Sequence, residues 1–443
     1  MSQKHKQLTN HQPKAQKKLL VVIGMLTLLK LMIIPNIQPI LPEFHLGAWL
    51  GADGETYIAA SRSLSTEGFF SKSQSLLYYA PGYSIFLFIL NLFTGKWLLL
   101  TTSLIQTLLY SYSVYFFAQQ LLKTKLKKIC FLFVIIALIN PTLSLATLVI
   151  GYESIIASCC LLLLGLFILN STTKNLTYKP LLILLSAIVL GITIWLSPKM
   201  IVPGMLFLAI WIFSNKNYRK NLLISVIAIV ILLTFQGSMI VRNQIATGNL
   251  ISQSSLGTLA IMGAGPKASG KYMDGDTGIS CDVTGLNASK ASDKNLKCAI
   301  DWYLQNPASG LALMFKKSIY LWSPWFGPLY GGTMARNPYL IFHPVKESIT
   351  TQPQLDFVMG MPGKIISWIW ILGSWLLLAI GYRYLFKLGG LEKVIGNVSL
   401  LLIVSNWLSV LPVIGDNRYR IPFMPLSLFL QVVGYMGLKK AKT

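Results

Sequence analysis

The chain has 443 residues, 54% of them hydrophobic and only 12% charged. The charged share is about half that of an average soluble protein, which excludes an ordinary water-facing surface. The net charge of +24 would suggest nucleic acid in a soluble chain, but here the basic residues gather between apolar runs. They lie in Lys4 to Lys18, Lys123 to Lys128, Lys216 to Lys220, Arg383 to Lys393 and Lys439 to Lys442, with Glu392 as the only acid among them. That asymmetry marks these segments as cytoplasmic and removes the nucleic-acid reading.

In chain order, the long basic start and an apolar run with no small-residue cleavage motif predict a retained first span over 19–36, directed outward. The polar stretch 37–80 is then external. Pro81 to Phe93 is apolar but shorter than the roughly 20 residues a crossing needs. If it crossed, Lys123 to Lys128 would fall outside, so it is expected to lie in the outer interface. Spans follow at 97–120, 128–148 (kinked at Pro141), 154–170, 180–196, 200–214 and 221–240. The stretch 241–362 is a large external segment, within which Leu311 to Trp325 reads as an amphipathic surface helix. Three further spans, 363–382, 394–414 and 421–437, bring both termini inside. The expected fold is an all-α polytopic membrane protein: a bundle of about ten transmembrane helices with external juxtamembrane helices. Its parts are a core over 1–240 that includes a first external loop (37–96), the external segment 241–362, and C-terminal spans over 363–443.

On this topology carboxylates and guanidinium groups from distant segments meet at one face. Asp53, in Ala52-Asp53-Gly54-Glu55-Thr56-Tyr57, reads either as a functional carboxylate or as the helix N-cap of 55–64. Glu153, in Gly151-Tyr152-Glu153-Ser154, lies between two apolar runs. There an unpaired charge costs roughly 2.5–3.5 kcal/mol at mid-bilayer, so it needs a partner or a wet cavity. The third cluster is Gly415-Asp416-Asn417-Arg418-Tyr419-Arg420-Ile421-Pro422. Lys30 poses the same burial problem as Glu153, and Lys199 is either an interfacial anchor or functional. The four histidines have no metal-ligand spacing, and Gly263-Ala264-Gly265-Pro266 lacks the strand–helix context of a nucleotide loop. Cys130, Cys159 and Cys160 read as packing residues. Cys281 and Cys298 form a disulfide if their side of the membrane is oxidising and their geometry permits it.

Several of these motifs resemble those of the GT-C membrane glycosyltransferases, especially the bacterial family-39-like enzymes that include the lipid A aminoarabinose transferases. Asp53, Tyr57, Ala60, Leu64 and Gly68 match the first external loop. Pro81-Gly82-Tyr83-Ser84-Ile85-Phe86-Leu87 resembles a Pro-Gly-Tyr-Pro-Leu-Phe-Leu segment, with Ser84 for the second proline. Glu153 matches the acid of a Ser-Glu motif, although Tyr152 replaces the serine. Ser197-Pro198-Lys199 falls where relatives carry Thr-Arg-Pro, so its basic residue is offset. Arg242-Asn243 and Arg418-Tyr419-Arg420-Ile421-Pro422 with Pro425 complete the set. The match spans roughly the first 260 residues and the last 40 of the chain.

The resemblance implies inverting transfer of a sugar from a polyprenyl-phosphate donor to a glycan, lipid or protein acceptor at the external face of a bacterial cytoplasmic membrane. It implies Asp53 as general base, with Glu153 binding hydroxyls or orienting a cation. Lys199, Arg242, Arg418 and Arg420 would hold the donor phosphate, and Tyr57, Tyr83 and Tyr419 would contact substrate. No organic cofactor and no tightly bound metal is expected, although a divalent ion stays open. The alternatives are a flippase for lipid-linked glycans, whose ionisable groups would sit near the midplane in matching repeats, and a glycan polymerase or ligase.

Overall fold

The computed structural model describes residues 2–39, 41–51, 53–173, 175, 177–214, 222–250, 253–273, 275–324 and 360–441. Helix α1 (Ser2–Leu31) opens the chain. Three short helices follow: α2 (Gly54–Glu67), α3 (Gln74–Tyr78) and α4 (Pro81–Thr94). Then come α5 (Leu98–Leu121), α6 (Cys130–Ile139), α7 (Pro141–Ala146), α8 (Glu153–Thr172), α9 (Tyr178–Leu196), α10 (Ile201–Ser214) and α11 (Leu222–Thr247). Helices α12 (Ser255–Met262), α13 (Ala288–Gln305) and α14 (Pro307–Trp322) belong to the long segment after α11. The chain finishes with α15 (Met361–Leu388), α16 (Gly390–Val410) and α17 (Met424–Ala441). The all-α expectation holds among the described residues, where the sole β pairing is one bridge between Trp49 and Val149.

Eight helical stretches among the described residues are long and apolar enough to cross a membrane. Two of the ten expected spans are shorter. Pro141 ends a helix instead of kinking one: α6 stops at Ile139, and the Asn140 side chain accepts the Leu143 N–H at 3.0 Å to cap α7. Helix α10 has 14 residues among those described, or about 21 Å at the usual 1.5 Å rise, against a hydrocarbon core of about 30 Å. Exposed apolar side chains such as Val21 and Met25 on α1, Leu223 and Val230 on α11, and Ile369 and Leu376 on α15 form the lipid-facing surface that an integral multi-pass protein presents.

Helix α4 is also 14 residues long and is closed by Gly95 at φ +49°, a left-handed conformation that favours glycine. A short 3₁₀ turn separates it from α5. The structure also gives its Pro-Gly-Tyr start a physical reason. Pro81 occupies the first turn, where its missing N–H costs nothing. A Cβ at Gly82 would strike the backbone of Trp195 and Leu196, so glycine alone lets α4 meet the end of α9. The buried Tyr83 hydroxyl donates to Gln106 Oε1 of α5 at 3.0 Å. The same Gln106 donates through Nε2 to the carbonyls of Thr147 (3.1 Å) and Val149 (2.9 Å). With the Trp49 N–H donating to Leu148 O and the Ile150 N–H to Trp49 O, these bonds join the chain before α2 to the turn before α8.

The segment after α11 docks at the same end. The fully buried Lys317 of α14 donates to the Tyr303 hydroxyl (2.6 Å) and to Leu411 O beyond α16 (2.8 Å), while Tyr303 donates to Gly263 O (2.8 Å). Trp322 of α14 packs edge-on against Trp375 of α15 and Trp407 of α16.

Candidate active site

A cavity of about 950 Å³ opens where these segments meet, within the size range of sites for small ligands and cofactors. Asp53 lies on it at the N-cap position of α2, yet its side chain caps nothing. The carboxylate instead pairs with the Arg418 guanidinium and accepts the Tyr79 hydroxyl. The N-cap alternative for this side chain is thereby removed. Glu153 is the first residue of α8, where the helix dipole favours a carboxylate. Its side chain is 3% exposed, and its partner is again Arg418, through Nε. One guanidinium therefore bridges two carboxylates that lie 100 residues apart in sequence (153 − 53).

Arg418 is held by its own backbone. It sits at the start of a 3₁₀ stretch, Asn417–Phe423, and its N–H donates to the Asp416 side chain at 2.9 Å. Burial raises the Asp416 carboxyl above the usual range against the lowering effect of that N–H and of the Arg418 charge, with Glu153 and Asp53 adding to the rise. Lys199 stands in a 3₁₀ turn, Pro198–Met200, between α9 and α10. Its Nζ lies 4.5 Å from the Tyr419 ring centroid, within cation–π range. Asp53, Glu153, Lys199, Arg418 and Tyr419 all line the cavity. Leu196, Val410 and Ile414 give part of its wall an apolar character.

Four expected site residues lie elsewhere. Arg242 is fully buried and spends its guanidinium on the chain, donating to Phe69 O (2.9 Å), Ser71 O (2.6 Å) and Asn243 Oδ1 (2.6 Å). It pins the loop between α2 and α3 and does not face the cavity. Arg420 turns to the opposite side, donating to Trp322 O at 2.7 Å beside Trp370 and Ser374. Tyr57 and Tyr83 stand behind the lining. Tyr57 packs on Tyr79 (4.8 Å), Tyr83 (5.0 Å) and Tyr152 (6.3 Å), and burial lifts its hydroxyl well above the ordinary range. They support the wall that Tyr79 and Tyr152 present.

Cys281 and Cys298 are joined as a disulfide away from the lining. Lys30 is buried over the Tyr110 ring (4.8 Å), and His45 lies beside Trp97. Tyr79, Gln106 and Lys271 were not singled out from sequence. Tyr79 stands two residues before the Pro-Gly-Tyr segment, and a glutamine within an apolar run is a visible signal. Lys271 carried none. Among the described residues no three His, Cys, Asp or Glu side chains converge as a metal-holding group, and the cation between Asp53 and Glu153 is the chain's own Arg418.

The helices and this end-on cavity define a multi-pass membrane protein with an all-α fold. Structures of the Archaeoglobus fulgidus oligosaccharyltransferase share it. The complex with Zn and sulfate has a TM-score of 0.50 at 11% identity, over 95% of this chain and 49% of that one. The form tethered to an acceptor peptide containing the NVT sequon has a TM-score of 0.50 at 12% identity, covering 96% and 50%. The same organism's oligosaccharyltransferase AglB, with an inhibitory peptide and a dolichol-phosphate, has a TM-score of 0.50 at 12% identity, covering 96% and 52%. The chain thus spans about half the length of these structures, and the likeness is one of fold. No family model and no curated protein matches the sequence.

Proposed function

We propose that this protein is a glycosyltransferase that passes a sugar from a polyprenyl-phosphate donor to an acceptor at the external face of a bacterial cytoplasmic membrane, with both termini inside. The observation that carries this reading is the Asp53–Arg418–Glu153 bridge on a cavity that also holds Lys199. The acceptor hydroxyl attacks the anomeric carbon opposite the phosphate, and the bond from that carbon to the phosphate oxygen breaks with inversion. Asp53 takes the hydroxyl proton, and the phosphate leaves with the electron pair. Arg418 fixes the direction of Asp53, and Glu153 fixes Arg418. Lys199 meets the charge that develops on the leaving phosphate, the kind of preorganised cation that favours such a transition state. The apolar part of the wall suits the first isoprenoid units. A dolichol-phosphate bound to a protein of this fold supports a lipid-phosphate donor. The first loop (37–96) would carry the base, the segment 241–362 would select the acceptor, and 363–443 would close the bundle.

The flippase reading is weaker because the charged residues of the cavity gather in one place and not in matching repeats; Lys30, buried within the first span, is the group that fits it. Asp53→Asn should abolish release of free polyprenyl phosphate from a polyprenyl-phosphate monosaccharide with acceptor, while leaving membrane insertion intact. Near-normal turnover of that variant would remove Asp53 as the base. ATP-free movement of intact donor across vesicles, without release, would replace the transferase reading with a flippase.

A further inference from the structure

We infer that Lys271, carried by the segment between α12 and α13, is a second contact for the donor's phosphate; this rests on the transferase reading above. Six charged residues line the cavity among the described residues: Asp53, Glu153 and Asp416 against Lys199, Arg418 and Lys271. Among the described residues the formal charges of the lining balance only with Lys271 counted. Without it the formal charges of the described lining sum to one negative, which does not favour an incoming phosphate.

The three cations are not equivalent. Arg418 is shared between two carboxylates and is committed to them. Lys199 lies over the Tyr419 ring. Lys271 lines the same space and has no carboxylate partner among the described residues. A half-buried lysine on the wall of a ligand-sized cavity, with no counter-charge among the described residues, can pair with an anion that enters it.

The placement of Lys271 is built by its neighbours. Gly270 takes φ +91°, a conformation that favours glycine. Its carbonyl accepts the Gly415 N–H at 2.7 Å. That bond ties Lys271 to the loop that carries Asp416 and Arg418. On the other side, Gly270 rests on α14, where an added Cβ would sit 3.5 Å from side-chain carbons of Leu313 and Lys317. The Lys271 N–H itself donates to Ser269 Oγ at 3.3 Å. The segment after α11 therefore supplies a charged residue to the donor side of the reaction as well as a wall toward the acceptor.

The test needs neither the sugar nor the acceptor. Purified full-length protein is titrated with farnesyl phosphate and, as the uncharged control, farnesol, using the unchanged chain, Lys271→Met, Lys271→Arg and Lys199→Met. Lys271→Met is expected to weaken farnesyl phosphate about tenfold, as loss of a charge-assisted contact does. Lys271→Arg should stay within about threefold, because the charge is retained. Farnesol binding and the melting temperature should not move. Farnesyl phosphate affinity in Lys271→Met equal to that of the unchanged chain, with Lys199→Met weakened, overturns the inference and leaves the transferase reading standing. An unchanged chain that does not prefer the phosphate to the alcohol overturns both.

Discussion

Replacing Arg418 by methionine separates a structural from a catalytic role for the central bridge. The change removes one guanidinium and strands two carboxylates of unequal exposure: Asp53 at 20% and Glu153 at 3%. Asp53 keeps the Tyr79 hydroxyl and can reach water in the cavity. Glu153 borders the same cavity but is far less exposed, and a buried charge that loses its partner costs about 3–5 kcal/mol. Arg418→Met should therefore lower stability by about that amount, nearly all of it through Glu153. Glu153→Gln alone leaves Arg418 paired with Asp53 and should cost less. In the double variant the stranded charge is gone, so stability should recover by about 1.5 kcal/mol or more relative to the sum of the single changes, the coupling expected of residues in contact. Transfer should stay near zero in every variant that lacks Arg418. Thermal unfolding of the four proteins in one detergent, run beside polyprenyl phosphate release, reads both quantities. Additive stability effects in that cycle would refute the bridge, and restored turnover in the double variant would refute a catalytic need for Arg418.

Lys317 predicts a pH dependence. Burial lowers its ammonium from 10.5 to about 7 in the folded protein. Between those values the unfolded chain binds a proton that the folded chain does not, so stability should rise as pH goes from about 7 to 10.5 and stay at its lower level below 7. Lys317→Met should flatten that part of the melting temperature curve, and an unchanged slope would show that the side chain does not titrate there. The Cys281–Cys298 disulfide spans 17 residues, for which loop closure gives about 3 kcal/mol. Replacing both cysteines by serine should lower the stability of the segment after α11 by that order, measured as earlier proteolysis within 253–322. Equal protease resistance with and without the disulfide would contradict it.

Much of the site was legible because its main residues are costly where they stand. A carboxylate between two apolar runs cannot be ignored, and Glu153 has the buried partner that its position demanded. Asp53 was ambiguous because an acid before a helix is also a good cap. Only the geometry shows the carboxylate turned away from the α2 N–H groups and toward Arg418. The basic residues were harder. Arg418 and Arg420 are two positions apart in one motif, but a 3₁₀ turn has three residues, so they project to different sides. One meets the cavity and the other meets Trp322. Arg242 looked like a phosphate ligand because nothing in sequence reveals which carbonyls a distant loop will bring to it.

By itself the sequence determined that this is a polytopic helical membrane protein, because a run of apolar residues can satisfy its backbone inside lipid only as a helix. Its charge asymmetry set the orientation expected of those helices, and its charged motifs marked one end of them. The tertiary structure decided where one expected span breaks, since Asn140 and Pro141 separate α6 from α7. It also decided which charges face one another. Residues 53, 153, 199, 271 and 418 meet only when five segments pack at one end of the bundle, and no local pattern encodes a contact between residues hundreds of positions apart.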